Sequence, residues 1–390
     1  MIVESSPPAL SGGIALIKPV RRVRSLRLAS IRGIVFIKLV RRVRSLCPAS
    51  ICGIALIKLV GRRRNGVCLG DGSAHIIIAC LPWGGRRFSR SMIEDARWPR
   101  ADAWLARDDS DPALVVVGVP TSVASLSPSK AYQTPNRLRG VLRRFSTFHS
   151  DRAIDLRKLP VSDLGDWQVS SFGLEQYQGA IEIAARRLAK GPVHAFLGGD
   201  NGITRPLVKG LAAGELRRVG VLTLDAHHDV RTLEQGPTNG TPIRGLIEDG
   251  LSGEQVIQVG IHAFANSLEY RTFCDEQRIR IVTMETIDAQ GLAPVMGAAL
   301  EALGNKCDWI YVDFDLGVLD RAFAPACPDA RPGGMSPRQL AAAARICGQH
   351  PQVRAVDFVE VDASADVNDL TLMNMAAVFL SFAAGVAVRE

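Results

Sequence analysis

WIYVDFDLGVLD, residues 309–320, decides both how this chain folds and where its chemistry lies. Its opening run is aromatic and β-branched, the composition of a strand buried on both faces. Yet the run takes in Asp313 and Asp315, and Asp320 follows just beyond Gly317. Burying a carboxylate without a partner costs several kcal/mol. A buried strand therefore keeps acids only where something compensates them, and a bound cation is one such compensation.

Similar runs recur outward from this stretch. LVVVGVP (114–120), VHAFLGGD (193–200), VGVLTLD (219–225), QVIQVGI (255–261), RIRIVTM (278–284) and RAVDFVEV (354–361) are nearly continuous apolar segments. Helical patterns such as LEQYQGAIEIAARRLAK (174–190) and SPRQLAAAARICG (336–348) lie between them. Apolar strands alternating with helices predict a parallel sheet covered on both faces. In such sheets ligands bind beyond the carboxyl ends of the strands.

Those ends are where the polar residues gather. VHAFLGG leads into Asp200 and Asn201, VGVLTL into Asp225, His227 and Asp229, WIYV into Asp313 and Asp315, and RAVDFV into Glu360. Acids with one imidazole and no cysteine are the donor set of a hard divalent ion such as Mn²⁺. An Asp just after a strand also serves as a helix N-cap, and a lone His is often structural. DAHHD (225–229) is the stronger signal, with ligand-type side chains close together after a buried strand. Asp313 and Asp315 share a face of their strand, with Asp313 one step deeper.

The bulk properties exclude several classes. The chain has 390 residues, 47% of them apolar, enough for one large core or two ordinary ones. No apolar run reaches the roughly eighteen residues of a membrane helix. Eight cysteines without a CxxC pair indicate neither a disulfide framework nor a thiolate zinc site, and a reducing cytoplasmic setting is expected. The net charge of +8 is unevenly held: residues 1–100 carry 19 Lys and Arg against 4 Asp and Glu, and residues 101–390 carry 28 against 35. That basic quarter contains a repeat of period 20, in SGGIALIKPVRRVRSLRLAS (11–30), IRGIVFIKLVRRVRSLCPAS (31–50) and ICGIALIKLVGRRRNGVCLG (51–70). It reads as a disordered or non-native extension over 1–97; a nucleic-acid or lipid-binding arm and a targeting segment are the other readings.

LGGDNGITRP, TLDAHHDVR, NGTP (239–242), YVDFDLGVLDRAFAP with RPGG (331–334), and DFVEV together resemble the ureohydrolases: arginase, agmatinase, guanidinobutyrase and formimidoylglutamase. The resemblance covers about residues 98–390, with the motifs in the family's order, and DAHHDVR followed by NGTP is closer to the formimidoylglutamase and agmatinase branches. It implies a three-layer αβα sandwich with a mostly parallel sheet of about eight strands. It also implies a binuclear Mn²⁺ centre whose bridging hydroxide attacks a linear guanidine or amidine, releasing urea or formamide. A homotrimer or homohexamer is implied too; apart from the arm reading of the repeats, no nucleic-acid or membrane partner is expected. By motif, Asp225 and Asp315 bridge both ions, Asp229 belongs to the first and shuttles a proton, and His227 belongs to the second. Glu360 and Asn239 bind substrate. The chain departs from the pattern twice. Asn201 stands where the first metal's histidine is expected, as a weaker donor, and Gly317 stands where the second metal's acid is expected. A protein of this fold that binds ligand through an incomplete centre is therefore the alternative to an active hydrolase.

Overall fold

The computed structural model describes residues 95–389 apart from Glu175, and two short antiparallel strand pairs nearer the N-terminus. Those pairs are Leu28–Ile31 with Ile34–Ile37 and Ile57–Lys58 with Ile77–Ile78. They belong to a unit spanning Met1–Glu94, distinct from the unit Asp95–Glu390. The expectation of a disordered extension over 1–97 falls mostly on residues outside those described.

The second unit is built on one sheet of eight strands. In chain order these are β1 (Leu114–Val119), β2 (Val161–Asp166), β3 (Val193–Gly198), β4 (Val219–Leu224), β5 (Val256–Ile261), β6 (Arg280–Thr283), β7 (Trp309–Asp315) and β8 (Val353–Val359). Across the sheet the order is β6-β5-β4-β7-β8-β3-β1-β2, and every pairing is parallel. The apolar runs of the sequence account for every strand but β2. VSDLGD is half polar because β2 lies at the sheet edge and only its first two residues are buried. An edge strand meets one neighbour and one solvent border, so it has no need of the continuous apolar run that marks a central strand.

Alternate residues of each strand feed two cores. Leu222, Leu224, Ile310, Val312, Phe314, Val356 and Phe358 pack with the helices Pro337–Gln349 and Leu370–Val386 on one face. Val219, Val221, Tyr311, Ala355 and Val359 pack with Tyr177–Arg186, Thr204–Ala212 and Pro242–Glu248 on the other. The result is the expected three-layer αβα sandwich.

The first core centres on phenylalanines. Phe314 stacks on Phe358 at 5.2 Å between ring centroids, and Phe379 and Phe382 meet Phe358 edge-on at 5.8 and 6.2 Å. This cluster clamps β7 and β8 side by side, and those strands end in Asp315 and Val359, the latter directly before Glu360. Phe358→Ala should cost about 3–5 kcal/mol in chemical denaturation. A loss below about 1 kcal/mol would show that the cluster does not hold this strand pair.

Candidate metal centre

Three strand ends make the same turn. The Oδ1 atoms of Asp200, Asp225 and Asp315 accept the backbone N–H two residues on, from Gly202 at 3.0 Å, His227 at 2.8 Å and Gly317 at 2.6 Å. Each aspartate therefore uses one oxygen to fold the chain away from the sheet edge. Asp200 uses its other oxygen on Ala124 N and Ser125 Oγ, so it is a loop anchor with no oxygen to spare. Asp225 and Asp315 carry no such second bond among the described residues.

The acids of the sequence motifs converge above these turns. Asp229, Asp315, Glu360 and His227 line one cavity of about 390 Å³, and the buried Asp225 lies 3.5 Å from His227 Nδ1. Asp229 and Glu360 hold left-handed backbone, with φ of 51° and 65°. Non-glycine residues keep that conformation only where their surroundings dictate it, and it recurs at functional sites. At Asp229 the carbonyl accepts from Ile243 and Arg244 at the start of Pro242–Glu248. At Glu360 the N–H donates to Gly199 O at 3.0 Å, and Gly199 admits no side chain because a Cβ there would lie 1.7 Å from Thr121 O.

Asn201 and Asn239 act on these acids. Asn201 Nδ2 donates to Asp229 Oδ2 while its Oδ1 accepts from Thr204 Oγ1 at 2.7 Å. Its N–H donates to Glu360 Oε1 at 2.7 Å, and Asn239 Nδ2 donates to the same oxygen at 2.9 Å. In this arrangement Asn201 presents a nitrogen, not an oxygen, towards the acids. Asn239 holds Glu360 in place.

The two adjacent histidines separate cleanly. His227 faces the acids, whereas His228 is buried with Nδ1 2.6 Å from Gln258 Oε1 and is structural. Asp313 lies one same-face step below Asp315, paired in register with Asp357. Tyr311 and Thr204 both reach Asp357 Oδ2 at 2.7 Å. Burial and the Asp357 charge push the Asp313 carboxyl well above the usual range, and burial raises Asp357 to about 6. Asp313 therefore belongs to the polar floor beneath the site.

Sequence reading missed Asp329. The loop after β7 brings it into the cavity, with Oδ2 3.6 Å from His227 Nδ1. Ligand atoms of Asp315, Cys327 and Asp329 all lie within 4.8 Å of one another. The sequence holds a CPD tripeptide at 327–329 before RPGG, and only an acid in a Pro- and Gly-rich loop hinted at a role.

The sequence model of the arginase family matches residues 112–385. This chain belongs to the arginase family. It is 36% identical to the formimidoylglutamase of Halalkalibacterium halodurans over 280 residues, 70% of this chain and 88% of that protein. It is 34% identical to the Bacillus subtilis formimidoylglutamase over 71% of this chain and 88% of that one, and 29% identical to the mitochondrial agmatinase of Gallus gallus over 66% and 76%. The Bacillus subtilis formimidoylglutamase structure matches with a TM-score of 0.72 and 31% identity, covering 78% of this chain and 97% of that chain. Trypanosoma cruzi formiminoglutamase, solved with Mn²⁺, shares the fold at a TM-score of 0.67 and 23% identity. The chain is a ureohydrolase-type hydrolase, acting on non-peptide C–N bonds in amidino compounds. Among the described residues no helix is long and apolar enough to cross a membrane.

The donor set of this arginase-family site fits divalent cations. Burial, then the charges of Asp225, Asp329 and Glu360, push the Asp229 and Asp315 carboxyls well above the usual range. Among the described residues no Lys or Arg forms an ion pair with Asp225, Asp229, Asp315, Asp329 or Glu360. Burial opposes the His227 imidazolium, but Asp225 and Asp329 outweigh it and raise its pKa. Metal-free, these groups hold protons in the fold to higher pH than in the unfolded chain, so their contribution to stability is full at low pH and lost as pH rises through the raised values. A cation that displaces those protons should therefore stabilise more as pH rises. The gain in Tm on adding Mn²⁺ should grow from about pH 6 to about pH 8. Buried His194, whose pKa burial alone lowers, acts equally with and without metal and cancels in the difference. A gain that stays level or shrinks with pH contradicts this.

Proposed function

We propose that this enzyme hydrolyses the amidine end of a small acid, of the formimidoylglutamate or guanidino-acid type. The observation that carries the reading is the polarity of the cavity: acids at its floor, and Arg231 and Arg331 in its lining. A planar amidinium suits the floor, and a substrate carboxylate suits a guanidinium. A substrate with an ammonium at its far end, such as agmatine, would meet like charge there. The formimidoylglutamase relatives support the same direction.

Asp225, Asp315, Asp229 and His227 would hold two Mn²⁺ ions. Asn201 would join through its amide oxygen after a half-turn of its terminal amide. Bound there, Mn²⁺ supplies a water acidified enough to attack at neutral pH, and draws charge from the carbon under attack. Glu360 Oε1 already accepts two N–H groups, leaving Oε2 to receive the amidinium. Accepting through that one free oxygen, Glu360 orients the amidinium at the reacting carbon. In the reaction water adds to the amidine carbon and the bond from carbon to the amino acid's nitrogen breaks. Asp229 carries the water's proton to that leaving nitrogen. A formimino substrate yields formamide and a free amine; a guanidino substrate yields urea.

Full-length protein loaded with Mn²⁺ should release formamide or urea fastest from acids in a panel of formimidoylglutamate, guanidinobutyrate, arginine and agmatine. Arg231→Ala and Arg331→Ala should each raise KM for the best acid by about 10–100-fold, the worth of a charged hydrogen bond. Preferred turnover of agmatine, or no product from any member, would overturn the substrate assignment. Glu360→Gln should lower kcat/KM by at least about 100-fold with the Mn²⁺ content unchanged. An unchanged kcat/KM would remove Glu360 from substrate binding.

A further inference from the structure

We propose that Asp329 supplies the second-metal carboxylate that Gly317 lacks, so that the ligand has moved from the strand end to the following loop with the centre's charge preserved. The inference rests on the metal-dependent reading of the site above.

Two observations place Asp329 in that role independently. The first is shared space. A Cβ added at Gly317 would lie 2.9 Å from Asp329 Oδ1, 3.2 Å from Asp329 Cγ and 2.9 Å from Asp315 Oδ1. Real Cβ atoms do not sit that close, so the Asp329 carboxylate fills the volume into which a side chain at position 317 would project. A glycine at 317 and an acid at 329 are thus complementary halves of one arrangement. The second is direction. Asp329 Oδ2 points to His227 Nδ1 at 3.6 Å, and its carboxylate shares a 4.8 Å cluster with Cys327 and the buried Asp315. His227 and Asp315 are the residues that position 317 would have had to join.

The loop is built to hold the acid there. Cys327 Sγ donates to Asp329 Oδ1 at 2.9 Å, leaving Oδ2 facing His227. Arg321 Nη1 donates to Cys327 O at 2.6 Å, Asp362 N to Ala326 O at 2.9 Å, and Ala326 N to Thr371 Oγ1 at 3.1 Å. These bonds tie the N-terminal flank of CPD to its surroundings. With a carboxylate at that point, the departure at Gly317 no longer argues for an incomplete centre.

Metal content of full-length protein, loaded with Mn²⁺ and then desalted, tests this directly, with electron paramagnetic resonance reading whether the ions are spin-coupled. Wild type should retain two coupled Mn²⁺ ions per chain. Asp329→Asn, nearly isosteric, should retain one uncoupled ion, with the second bound at least about tenfold more weakly. The double variant Gly317→Asp with Asp329→Ala should regain two, a rescue that also shows the loop variants are folded. Two coupled ions at unchanged affinity in Asp329→Asn overturn the assignment of Asp329 and leave the metal centre standing. A wild type that binds no Mn²⁺ while folded overturns the metal-dependent reading and this inference with it. Failure of the double variant to regain the second ion, when its melting profile matches wild type, also overturns the exchange.

Discussion

Carboxylates gathered in a low-dielectric crevice repel one another, and the chain supplies no Lys or Arg to pair with them among the described residues. That repulsion is the constraint on which the rest of the site depends. Each acid costs free energy to bury, and the cost grows with every neighbour of like charge. Protons or divalent cations are what relieve it. The fold keeps the acids together by placing them at the ends of parallel strands β4, β7 and β8, which are central in the sheet, with β7 and β8 locked by the Phe314–Phe358 stack.

The same constraint explains the geometry of individual residues. Asp229 and Glu360 sit in left-handed backbone because the hydrogen bonds around them, from the Pro242–Glu248 helix and to the Gly199 carbonyl, fix the turn before the side chain is considered. Asp200, Asp225 and Asp315 each give one oxygen to a backbone N–H, and of these three only Asp225 and Asp315 keep the other free of a donor among the described residues. The distinction between anchor and candidate ligand thus lies in the second oxygen. Residue type does not carry it.

Much of this was legible in the sequence. Continuous apolar runs mark buried parallel strands, and acids at their ends mark the crevice, so the layers, the central strands and the neighbourhood of Asp225, His227, Asp229, Asp315 and Glu360 could be read directly. Strand β2 escaped because an edge strand relaxes the apolar pattern. Asn239 steadies Glu360, and Asn201 reaches both Asp229 and Glu360, contacts that join residues far apart in the chain and leave no local trace. Asp329 escaped for a related reason. Ungapped comparison at Gly317 shows a missing acid, but only the path of the loop shows that an acid twelve residues later occupies the same volume. Linear spacing identifies a ligand that stays on its element and misses one that changes element.

The central claim is that this acidic crevice is a two-cation site whose second position leans on the loop after β7. Anomalous diffraction at the manganese edge, from crystals of the Mn²⁺-loaded protein, tests it most directly. The account predicts two peaks in the crevice, one against Asp229 and one between His227 and Asp329, with Asp225 and Asp315 touching both. A single peak distant from Asp329, or manganese density outside the crevice alone, would contradict it.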